Sequence, residues 1–116
     1  MNPPLTPDQS AAHEFLAELR TRISTQPLPY QYGDESHALE SLWEVFNQAR
    51  AAVKAYPDCQ KFAALTTHTL NLHLRPVTDK WHRAHAAGRL DSRDGADEFR
   101  QDFLMAQEAL RSLGAR

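Results

Sequence analysis

Leu39, Leu42, Phe46, Ala49, Val53 and Tyr56 follow one another at spacings of 3, 4, 3, 4 and 3. That is the period of one face of an α-helix. Far along the chain Ala96, Phe99, Phe103, Ala106, Leu110 and Leu113 take the same steps. Stripes of this kind are buried against other helices, and short turns between helices favour antiparallel neighbours. No stretch alternates apolar and polar residues for long enough to make a strand. The expected fold is all-α: a four-helix antiparallel bundle.

The punctuation of the chain places the other two helices. Thr6-Pro7-Asp8-Gln9 reads as a helix start, with Thr6 as cap, proline at the first helical position and Gln9 completing a capping box. Ala12, Phe15 or Leu16, Leu19 and Ile23 make its buried stripe, and Pro27 and Pro29 force it to end near Ser24. Residues 1–5 are expected to be a loose arm. Residues 25–33 form an extended connector whose Leu28, Tyr30 and Tyr32 should lie against the bundle. The second helix opens at Asp34 and Glu35, acids that suit the positive end of the helix dipole. Trp43 widens its stripe and Pro57 ends it. The third helix is the longest, from a cap at Asp58 to about Ala87, with Gly88 as a left-handed C-terminal cap. Ala63, Thr67, Leu70, Leu74, Val77, Trp81 and Ala84 make its seam, while Phe62, Leu65 and Leu72 fall on other faces. A helix apolar on more than one side is either central or covered by a second chain. The fourth helix starts at a cap on Asp91 or Ser92 and stops at Gly114. Short turns are expected at 56–58 and 88–91.

A chain of 116 residues is long enough for one domain with its own core, so residues 1–116 are read as a single helical bundle. The single Cys59 cannot bridge internally, no signal peptide is visible, and no run approaches a membrane span. The formal charge of −2 argues against wholesale nucleic-acid binding. A soluble, cytoplasmic protein without membrane or cofactor is the bounded expectation.

Within the longest helix Pro76 removes a backbone donor and its ring meets the carbonyl of Leu72, a cost of about 3 kcal/mol in a helix interior. A kink is expected within residues 72–76. Around it the sequence gathers Asn71, Arg75, Lys80, Trp81, His82, Arg83 and Arg89, a basic, aromatic-flanked cluster. Tryptophan and arginine dominate binding hot spots, so these residues are the candidate interaction patch. Trp81 also falls on the seam, which makes it a core residue ahead of a binding residue, and the patch residues are then a structural cluster. The acids of 91–102 can neutralise the patch within the molecule or across a dimer.

Catalytic chemistry has little to stand on. His68, His73, His82 and His85 share one helix, but only His82 and His85 have the three- or four-residue spacing of a metal-binding pair. No metal is expected. Cys59 sits near a helix start, where a thiol pKa can fall, yet small apolar use of a free cysteine is commoner. The four glycines are scattered and form no phosphate loop. Arg75 and His82, six residues apart in between, fit the Arg-x4–6-His signature of HEPN-type ribonucleases, which they thereby resemble. That resemblance implies an all-α dimer with His82 as acid/base and Arg75 on the scissile phosphate. With ten arginines, three allowed offsets and six histidines in 116 residues, between one and two such pairs arise by chance.

The pattern Asn71-x-x-Leu74-Arg75-Pro76-x-x-x-Lys80-Trp81-His82, preceded by Ser41-Leu42-x-x-x-Phe46-x-x-x-Arg50, resembles uncharacterised bacterial helical domains. In those an aromatic residue follows the proline and a further proline follows the histidine; here Val77 and Arg83 stand there. The resemblance covers the second and third helices. It implies a recurring module of larger bacterial proteins, with stress or phage defence as its setting, and brings no activity. The expected function is therefore a non-enzymatic protein–protein interaction or adaptor module that binds a protein partner or itself. The second reading is a dimeric ribonuclease acting on nucleic acid through Arg75 and His82.

Overall fold

The computed structural model describes residues 4–20 and 35–114. The connector 25–33, Ile23, the end of the first helix near Ser24 and the start of the second at Asp34 lie outside those residues. Of the arm, Pro4 and Leu5 are described, and both are exposed. Every regular element among the described residues is helical. These are α1 (Pro7–Arg20), α2 (Glu35–Ala55), α3 (Gln60–Thr69), a π-helical turn (Leu70–Leu74), α4 (Arg75–Ala86), a 3-10 turn (Arg89–Asp91) and α5 (Arg93–Gly114). The long third helix of the sequence is thus α3, the π turn and α4, joined without a break.

Local chemistry explains most of the boundaries. The capping box forms as expected: the Gln9 N–H donates to Thr6 Oγ1 at 3.1 Å and the Thr6 N–H to Gln9 Oε1 at 2.9 Å. Pro57 and Asp58 turn the chain, but Cys59 rather than Asp58 occupies the cap position of α3, and it makes no side-chain capping bond. That bond comes from α1 instead, where Asp8 Oδ1 accepts the N–H of Phe62 at 2.8 Å. Gly88 takes φ 78°, the left-handed cap a side chain would resist. Of the two caps foreseen for α5, Ser92 serves: its Oγ accepts the Gly95 N–H at 3.1 Å.

The core collects Phe15 and Leu19 from α1, Leu42 and Val45 from α2, Leu74 and Trp81 from the long helix, and Phe99, Phe103 and Leu110 from α5. All six positions of the α5 stripe are buried. On α1 the fully buried alanine is Ala11, and Ala12 sits at the edge. On α2 Leu39, Leu42 and Ala49 of the expected seam are buried, but the rest of the face is turned from it. Ala38, Val45 and Ala52 are buried, while Phe46, Val53 and Tyr56 are only partly so.

The long helix holds the largest departure. Upstream of the π turn the buried positions are Phe62, Thr66 and Thr69, not Ala63 and Thr67. Downstream, Leu74 and Trp81 are buried as the spacing predicts. The π turn accounts for this. The Arg75 N–H bonds to Leu70 O, five residues back, so one extra residue enters that turn and everything upstream moves by one position. Phe62 consequently meets Phe15 of α1 edge-on, with ring centroids 5.7 Å apart.

Candidate functional site

The residues of the basic patch are dealt out to two sides of α4. One side meets α5. Trp81 is 0% exposed, and its indole Nε1–H donates to Asp102 Oδ2 at 2.8 Å. Lys80 Nζ reaches the same oxygen at 2.8 Å and Glu98 Oε2 at 3.1 Å. Arg89 Nη2 reaches Glu98 Oε1 at 3.3 Å. The ammonium of Lys80 also lies 5.1 Å from the Trp81 ring centroid. Lys80 is raised above its ordinary pKa by its bond to Asp102 and then by that to Glu98. Glu98 is held below the usual carboxylate value by Lys80 and then Arg89. The acids of 91–102 therefore neutralise this half of the patch inside the molecule.

The other side meets α2. Arg75 Nε donates to Asn71 Oδ1 at 2.9 Å, and its guanidinium lies 4.9 Å from the centroid of the Phe46 ring. Seven residues on, the ring of His82 stands edge-on to Trp43 at 5.8 Å. Both Arg75 and His82 are exposed. Arg83 is exposed and takes part in none of these contacts. Thr78, fully buried, donates its hydroxyl to Arg75 O at 3.1 Å and ties the first turn of α4. His68, His73 and His85 are exposed, and no three metal-ligating side chains gather among the described residues.

Two groove-like openings flank the π turn. One, of about 280 Å³, runs between α2 and the α3–π junction and includes Phe46, Arg50, Asn71 and Arg75. The other, of about 530 Å³, runs between the π turn and α5 and includes Thr69, His73, Met105 and Glu108. Met105, which lines the second, is 72% exposed, and Leu72 of the π turn is 56% exposed. The sequence sets the acids of 91–102 against the patch as a group and singles out neither Glu98 nor Asp102. The signal available was charge balance: residues 75–89 carry an excess of cations and 91–102 an excess of acids. Glu35 was read as a dipole partner, yet it is 3% exposed and accepts from Arg100 Nε at 3.0 Å. No family model, curated protein or solved structure matches the chain.

Proposed function

We propose that the chain is a non-enzymatic interaction or adaptor module of a larger bacterial, cytoplasmic protein. Its architecture on this reading is an antiparallel four-helix bundle whose long third helix bends at Pro76. The π turn directly before that proline, with Leu74 at φ −97°, supports the bend. π turns of this kind recur at functional positions.

The observation that carries the interaction reading is the apolar surface beside the α5 groove. Leu65 is 38% exposed, Leu72 56%, Leu104 49% and Met105 72%. Of these, Met105 lines the groove together with Ala109 and Leu113; an exposed methionine on an apolar groove gains by being covered and adapts to a partner's shape. The basic patch is less suited, because Lys80 and Arg89 already hold carboxylates and Trp81 is core. The occupant is an apolar helix of a protein partner or of a second copy. Light scattering after gel filtration tests self-association: the wild-type chain runs as a dimer, and Met105→Glu with Leu72→Glu makes it a monomer. A wild-type chain that already runs as a monomer sinks the self-association reading.

The ribonuclease reading keeps one support, the exposure of both Arg75 and His82 on α4. It requires two copies to bring those residues together on an RNA strand. Cleavage of single-stranded RNA that disappears in both Arg75→Ala and His82→Ala would establish it over the adaptor reading.

A further inference from the structure

The smaller groove has a different chemistry. Phe46, Ala49, Val53 and Leu70 give it apolar walls, and Arg50, Asn71 and Arg75 supply its polar groups. Among the described residues no aspartate or glutamate lines it. Lys80, Arg89, Arg100 and Arg111 each meet a carboxylate, whereas Arg50 and Arg75 bond to the neutral amide oxygens of Asn47 and Asn71.

Arg75 is held ready rather than satisfied. Asn71 takes its Nε–H at 2.9 Å, its guanidinium carbon lies 4.9 Å from the Phe46 ring centroid, and the residue lines the groove. In the same lining Thr66 is 2% exposed, and its hydroxyl has no hydrogen-bond partner among the described residues. That hydroxyl is itself closed to solvent, so it offers a ligand in the groove no contact. The groove follows the sides of helices, so its backbone N–H groups are spent within them. The helix N-termini and amide nests that hold phosphate are therefore missing from its lining. Two planar guanidinium forks above apolar walls suit a carboxylate with an apolar body.

We infer that this groove binds a small organic acid, its carboxylate between Arg50 and Arg75 and its compact aromatic or aliphatic body against Phe46, Val53 and Leu70. A cavity of about 280 Å³ suits an acid of the size of benzoate or hexanoate. The site is distinct from the Leu72–Met105 surface, and its test is independent of what covers that surface.

The test is a titration of the full chain, labelled with nitrogen-15, with benzoate and with hexanoate. Saturable shifts confined to the groove are expected, including the Asn71 side-chain amide and the Arg75 Nε–H. Arg50→Gln and Arg75→Gln should each weaken binding about tenfold, the loss of a charged hydrogen bond. Both side chains are exposed, so folded spectra are expected for both variants, and Arg75→Lys provides a milder replacement. Three results overturn the assignment: unchanged affinity in both glutamine variants, equal binding of 1-hexanol or inorganic phosphate, or no saturable shift in the groove. Tighter binding of an apolar tripeptide through its free C-terminus than of either acid overturns the small-ligand reading in favour of a chain end.

Discussion

Trp81 Nε1 and Lys80 Nζ converge on one oxygen, Oδ2 of Asp102, each at 2.8 Å. Adjacent residues of α4 are thus fastened to α5 by a single carboxylate, one from the core and one from the surface. The two bonds are unequal in weight. The indole N–H belongs to a fully buried ring, and without Asp102 it would lose its protein partner. Asp102→Ala should therefore cost about 1–3 kcal/mol, the penalty of an unsatisfied buried donor. Lys80→Ala should cost less than about 1 kcal/mol, as exposed ion pairs do. Urea unfolding of the two variants checks the order.

Trp81→Ala removes the ring itself. It takes away the edge-on contact with Phe99 at 5.4 Å and leaves a cavity between α4 and α5. The expected loss is about 3–5 kcal/mol, enough to unfold a marginal domain. A change below ~1 kcal/mol in a thermal melt would contradict its burial.

The link between α1 and α3 predicts a smaller effect with a sharp location. Asp8 is the cap that Cys59 does not provide, reaching the Phe62 N–H across 54 residues of sequence. Asp8→Ala should cost about 1 kcal/mol, as for loss of a helix cap, whereas Asp8→Asn keeps the acceptor and should be much milder. Hydrogen exchange adds a local readout. The Phe62 amide should lose protection in Asp8→Ala while amides of α5 keep theirs apart from the global change.

The Lys80–Glu98 pair predicts a pH dependence at both ends. Glu98 is depressed below its ordinary value of 4.5, so its contribution is present above that value and lost as pH falls through the folded one. Lys80 is raised above its ordinary 10.5, so its contribution is present below that value and lost as pH rises through the folded one. Both groups are largely exposed, and salt should shrink the effect. Glu98→Gln should lie below wild type at neutral pH and approach it in acid. Melts across the pH range, repeated at high salt, read the difference.

What could be read in advance followed from local rules. The stripe of α5, the Thr6–Gln9 box and the left-handed Gly88 each depend on residues within a few positions, and all three stand as the spacing implied. The failures have a common physical source. A fixed helical period cannot anticipate a π turn, so Ala63 and Thr67 were assigned where Phe62 and Thr66 are buried. Spacing also says nothing of specific partners far along the chain: Asp8 and Glu35 have only local roles by sequence, and charge balance sets the acids of 91–102 against the basic patch without singling out Asp102. The groove of Arg50 and Arg75 needed both pieces of information at once. Its wall is the part of the α2 stripe, Phe46 and Val53, that the turned face of that helix leaves only partly covered.

Gly95 sets helix propensity against packing. It lies in the first turn of α5, where replacing glycine by alanine ordinarily stabilises a helix by about 1 kcal/mol. Here a Cβ on Gly95 would stand 1.8 Å from Arg89 O and 2.9 Å from Arg89 Cγ. Backbone at that distance cannot yield as a side-chain tip can. The 3-10 turn that carries Arg89 would have to move, and with it Arg89 O, which also accepts the Ser92 hydroxyl at 3.0 Å. Gly95→Ala should thus destabilise by more than about 1 kcal/mol, the reverse of its propensity. Neither the φ nor the cap of α5 requires glycine; the close approach of Arg89 does. A thermal melt in which Gly95→Ala exceeds wild type would mean that residues 89–91 do not hold this position against the helix in solution.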